Sequence, residues 1–135
     1  MREDVIVKTT DDAPVILIVD DEPDITTTYA MLFEYHGFRV STADDGQSAL
    51  KMIDAVAPNI ILSDYMMPLM DGAELCSILK KEPRWKNIPF ILSTAVFHLK
   101  DIDTPYDLLL QKPVVFSELL KEVTRLLDSQ NTQHP

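Results

Sequence analysis

Short, unbroken apolar runs separated by longer stretches of mixed polarity organise this chain. VILIV at 15–19, NIILS at 59–63, IPFILS at 88–93 and DLLLQ at 107–111 have no regular polar face. Such continuity predicts strands of a parallel sheet buried on both sides. FRVSTA at 38–43 alternates more, as an edge strand does. The intervening stretches carry helical signals. Pro23 stands where a first helical turn would begin and Gly37 where a left-handed cap would end it. Asp44-Asp45-Gly46 precedes Ala49, Leu50, Ile53 and Val56, spaced for one helical face. Asp71 is placed to cap a helix carrying Leu75, Ile78 and Leu79 that closes near Pro83. Phe116, Leu119, Leu120, Val123, Leu126 and Leu127 form the apolar stripe of a last helix.

Five βα units in succession predict an α/β fold, an open doubly wound parallel sheet. Residues 1–13 and 129–135 offer little to bury and are expected to be flexible tails around a domain spanning 14–128. The crossover at 95–105 is short for its task, and Pro105, Asp101 and Asp103 disfavour a regular helix there. A short or irregular fourth helix is expected.

Composition narrows the function. With 135 residues, 46% hydrophobic and 25% charged, the chain suits one globular domain. A net charge of −10 argues against direct nucleic-acid binding, which needs clustered Lys and Arg. The single cysteine, Cys76, cannot form an internal disulfide, and it reads as a small packed residue. No apolar run is long enough for membrane insertion and no signal peptide is evident, so a cytoplasmic location is expected. His36, His98 and His134 are too scattered to suggest a metal cluster, and His98 reads as a loop residue.

In open parallel sheets, ligands bind beyond the carboxyl ends of the strands, where strand order reverses. Asp20 and Asp21, Asp64, Thr94 and Lys112 all fall at such ends. Taken singly, each has a plainer reading. The acids before Pro23 suit a helix N-terminus, Asp64 suits a turn, and Thr94 suits a strand. Their joint occurrence is what carries chemistry. Three carboxylates repel one another unless a hard cation joins them, and oxygen ligands with retained water suit Mg²⁺. With Lys112 added, a dianionic phosphoryl group becomes a fitting guest and a carboxylate can be its acceptor.

VILIVDDEPDI, ILSDYMMPLMDG, ILSTA and LLLQKP together resemble the receiver domains of two-component response regulators, the CheY-like family, over about residues 15–128. The resemblance implies a flavodoxin-like sheet of order 2-1-3-4-5. It implies Asp64 as phosphoacceptor, with metal held by Asp20, Asp21, Asp64 and the Met66 backbone carbonyl. Mg²⁺ is the expected ion, with Mn²⁺ as a substitute. Thr94, the Ala95 backbone N–H and Lys112 would receive the phosphoryl oxygens. Pro68 and Gly72 would shape the loop after the phosphoacceptor, and the Lys112-Pro113 bond would be cis. Implied partners are a sensor histidine kinase or histidine phosphotransfer protein and a downstream protein that the residues do not name. Catalysis would be confined to the domain's own phosphorylation and dephosphorylation.

Two departures bear on signalling. Leu109 occupies the family's usual aromatic switch position, and the stretch from Thr94 to Lys112 is short and lacks the customary glycine. The expected response is therefore reordering of 95–105, with no aromatic switch. Met66 and Val96, apolar where the family's hydrolytic water passes, imply a long-lived phosphoryl group. Two other readings fit the residues less well. A haloacid-dehalogenase-type phosphatase wants a second Asp two positions after the first, whereas Asp20 is followed there by Glu22 and then Pro23. A receiver-like module signalling without phosphate would have no need of all five polar residues.

Overall fold

The structure, a computed structural model, describes residues 12–95 and 103–132. Its elements are β1 (Val15–Val19), α1 (Pro23–Tyr35), β2 (Arg39–Ala43), α2 (Gly46–Val56), β3 (Ile60–Asp64), α3 (Gly72–Lys81), β4 (Phe90–Thr94), β5 (Leu108–Gln111) and α4 (Phe116–Thr132). All strand pairs are parallel and the order is β2-β1-β3-β4-β5, as the family resemblance implies.

Both faces of the central strands are buried, which accounts for their unbroken apolar runs. Leu17, Val19, Ile61, Phe90 and Leu92 point to one core, with Ala49 and Ile53 of α2 and Leu75 and Leu79 of α3. Ile16, Ile18, Ile60, Leu62 and Ile91 point to the other, with Phe33 of α1 and Leu119 and Val123 of α4. Cys76 is buried in the first core, and burial pushes its thiol up to about 12, so it is not a thiolate at neutral pH.

Local signals set the helix ends. The N–H groups of Gly37 and Phe38 donate to the carbonyls of Glu34 and Phe33, both at 3.0 Å, and Gly37 has φ 92°. The Phe38 ring meets Phe33 edge-on at 5.1 Å, the apolar contact that accompanies such caps. Asp45 caps α2 by accepting from the Ser48 N–H at 2.7 Å, and Asp71 caps α3 through the Glu74 N–H at 2.8 Å.

Several boundaries differ from expectation. Asp64 and Thr94 are the last residues of β3 and β4, not the first beyond them, because each still pairs, with Ser93 and Gln111 respectively. β4 begins at Phe90 after Pro89, which has no N–H for the ladder. α4 continues to Thr132, past the expected domain limit at Asp128, since 129–132 contain neither Pro nor Gly to stop it. The expected short fourth helix, the reordering segment, His98 and Val96 fall at least partly on 96–102 and lie outside the described residues. Among the described residues no helix occurs between β4 and β5, and none is long and apolar enough to cross a membrane.

Candidate functional site

The carboxyl ends of β1, β3 and β5 bring the predicted polar residues to one place. Asp20 follows β1 directly and its N–H still donates to the Ala43 carbonyl at 3.0 Å, which fixes its direction. Its Oδ1 accepts from the Glu22 N–H at 3.0 Å. Asp64 closes β3. Asp20 and Asp64 are only 4% and 8% exposed, while Asp21 faces solvent. One carboxylate oxygen from each of Asp20, Asp21 and Asp64 lies within 4.8 Å of the others. An all-oxygen, acid-rich set of this kind fits a hard divalent cation.

Lys112 enters from the opposite side. Its N–H donates to the Thr94 carbonyl at 2.7 Å, extending the β4–β5 pairing by one residue. Its ammonium lies 3.2 Å from Asp64 Oδ1, 3.4 Å from Asp20 Oδ2 and 3.9 Å from Glu22 Oε1. The Lys112-Pro113 peptide bond is cis, as the resemblance implies. Burial pulls the Lys112 ammonium down, but Asp20 and Asp64 together outweigh it and hold it above its usual value. For Asp64 the balance falls the other way. Burial and the nearby Asp20 raise its carboxyl although Lys112 opposes them. The two acids raise Lys112, whereas burial is what chiefly raises Asp64.

The remaining predicted residues surround this cluster. Thr94 is buried at the end of β4 and Ala95 is exposed just beyond it. Met66 and Leu69 project into solvent from the loop after β3. Met70 N–H donates to the Pro68 carbonyl at 2.8 Å, closing a three-residue turn that places Leu69 at φ 70°. That loop is pinned at Gly72, whose N–H donates to the Tyr65 carbonyl at 2.8 Å. A side chain there is sterically excluded, because a Cβ would overlap the Asp64 carbonyl oxygen and the Leu92 methyl. Leu109 is half-buried against the first core.

Two contributors escaped sequence reasoning. Glu22 adds a third carboxylate near Lys112, and only the acidic DDE run hinted at it. Tyr29 of α1 reaches over the turn beyond Lys112, its hydroxyl 3.5 Å from the Val114 carbonyl. Burial raises this phenol, while Lys112 pulls it down. No local signal marks it. A cavity of about 900 Å³ lies at the other end of the sheet, lined by Pro14, Phe38, Asn59 and Leu127, and none of the site acids lines it.

Known proteins resemble this chain in sequence and fold. The chain is 33% identical over 118 residues to the DNA-binding dual master transcriptional regulator RpaA of Synechocystis, covering 84% of this chain and 49% of that protein. It thus spans about half the length of that relative. The receiver domain of a signal transduction histidine kinase from Syntrophus aciditrophicus superposes with a TM-score of 0.82 at 32% identity, covering 87% of this chain and 92% of that one. The response regulator TrrA of Thermotoga maritima, in complex with Mg²⁺ and BeF, gives 0.76 at 30% identity, covering 84% and 98%. Residues 16–124 match the family described as the response regulator receiver domain. With the sheet order, the acid cluster and the lysine opposite it in agreement, the chain belongs to the receiver domains of two-component response regulators.

Proposed function

We propose that Asp64 accepts a phosphoryl group from a phosphohistidine on a sensor kinase or phosphotransfer protein. The observation that carries this reading is the Asp64 carboxylate, with an ammonium at 3.2 Å and two further carboxylates beside it. An Asp64 oxygen would form a bond to phosphorus as the donor's P–N bond breaks, the imidazole leaving with the electron pair and taking up a proton. The Lys112 ammonium would pair with a phosphoryl oxygen, offsetting the charge that the new dianion would otherwise set against Asp20. The Thr94 hydroxyl and the Ala95 N–H would donate to the other oxygens. Asp20, Asp21, Asp64 and the Met66 carbonyl would hold Mg²⁺, which when bound supplies positive charge to the phosphoryl oxygens. The domain would act as its own catalyst only, with its output through protein–protein contact.

Intact mass after incubation with acetyl phosphate and Mg²⁺ tests the assignment. One added phosphate is expected in the parent and none in Asp64→Asn. A variant that still gains phosphate cleanly at another residue sinks the assignment.

A further inference from the structure

We infer that Lys80, acting through Asp107, is a positioning residue for the Lys112 ammonium, an inference that rests on the phosphoacceptor reading above. β5 carries Lys112, yet it is a four-residue edge strand paired with β4 alone, and its residues are at best half-buried. At about 3.3 Å per residue it spans roughly 13 Å. Where its first residue stands therefore decides where its last one points.

The foot of that strand is tied down in an uncommon way. Asp107 N–H donates to the Phe90 carbonyl at 2.9 Å. Asp107 Oδ2 accepts from the Phe90 N–H at 2.7 Å and from Lys80 Nζ at 2.8 Å. Lys80 Nζ also donates to the carbonyls of Ile88 at 2.9 Å and Lys86 at 3.2 Å. An ammonium has three N–H donors, and all three are engaged. The Lys80 side chain is only 13% exposed. An ordinary surface ion pair swings freely and holds nothing in place. Here the cation joins α3, the turn before β4 and the start of β5 at a single atom.

The other end of α3 abuts the acceptor residue. Gly72 opens the helix with its Cα against the Asp64 carbonyl. α3, about 15 Å long, is thus braced at one end on the residue bearing the nucleophile and at the other on the foot of the strand bearing the lysine. Removing the Lys80 ammonium leaves the Asp107 carboxylate with the Phe90 N–H alone. The β5 end then loses its reference to α3, and Lys112 loses its fixed distance from Asp64. The acids that hold the metal stand on β1 and β3 and do not depend on this tie.

Calorimetric titration of the whole chain separates these roles, with Mg²⁺ as one probe and beryllofluoride in saturating Mg²⁺ as the other. Lys80→Met is expected to keep its Mg²⁺ affinity while its beryllofluoride affinity falls about tenfold, a fraction of the ~100-fold that a 1 Å misplacement costs. Asp107→Asn, which keeps an oxygen for the Phe90 N–H but loses the charge, should show a loss of about threefold. A folded Lys80→Met with parental beryllofluoride affinity overturns the inference, as does an equal fall in both affinities, which would indicate general loosening. Should Lys80→Met not fold, Asp107→Asn decides by the same criteria. Binding of beryllofluoride by the parent but not by Asp64→Asn keeps the phosphoacceptor reading even if the Lys80 role fails. A parent that binds none overturns both.

Discussion

The two sides of the site are built on different parts of the sheet. Asp20 follows β1 and Asp64 ends β3, strands with neighbours on both sides and every residue buried. Lys112 follows β5, an edge strand paired on one side and half-covered. The acids therefore stand on strands buried along their whole length, and the cation follows a short, half-buried ladder whose foot carries the Lys80–Asp107 ion pair. This asymmetry sets Asp20 and Asp64, proposed to hold the metal, in the core, and Lys112, proposed to pair with the phosphoryl group, at its margin.

The sharpest way to break the comparison is to remove one charged group from each side. Asp64→Asn is expected to abolish phosphorylation, because no oxygen nucleophile remains. Lys112→Met is expected to leave Mg²⁺ binding intact or tighter and to slow phosphorylation by acetyl phosphate about 100-fold, the scale of losing one charge-stabilising donor. Rapid-quench rates at saturating Mg²⁺ measure both. Equal loss in the two variants would erase the distinction between nucleophile and counter-ion.

Packing supplies the next contrast. Leu92, fully buried on β4, should cost about 3 kcal/mol when cut to alanine. Leu109, half-buried on β5, should cost about half as much, because less apolar surface leaves water. Urea unfolding at equal m-values checks the pair. Equal losses would show that β5 is as firmly held as the centre.

The smallest expected effect is on pH dependence without metal. The Asp64 carboxyl is raised by burial, so the native state binds its proton more firmly than the unfolded chain does. Its contribution to stability is full below the ordinary carboxylate value and is lost as pH rises through its raised value. Lys112 is also raised, so its contribution is full below its ordinary value and is lost at alkaline pH. In chelator, the stability of Asp64→Asn relative to the parent should grow with pH across the acid window and then level off. Lys112→Met should flatten the alkaline limb instead. A difference independent of pH in the acid window would contradict the burial of Asp64.

Much of this molecule was legible in one dimension. Strand positions followed from runs such as VILIV because a strand covered on both sides has no polar face to alternate with. The caps at Asp71 and Gly37 followed because they are settled within a few residues of chain. The acids and Lys112 were legible because a parallel sheet delivers every strand's carboxyl end to one edge. Sheet order and the cis bond at Pro113 came from family resemblance, not from periodicity.

What tertiary structure alone decided are meetings between residues far apart in sequence. Lys112 stands 3.2 Å from Asp64 only because β3, β4 and β5 pair in one register. Tyr29 over Val114 and Lys80 on Asp107 carry no local signature, and the DDE run does not say that Glu22 reaches Lys112. A hydrogen bond or an overlap is settled within tenths of an ångström, whereas hydrophobic periodicity specifies only which face a residue takes. Which face was written along the chain; which partner waited there depended on how the helices and strands packed.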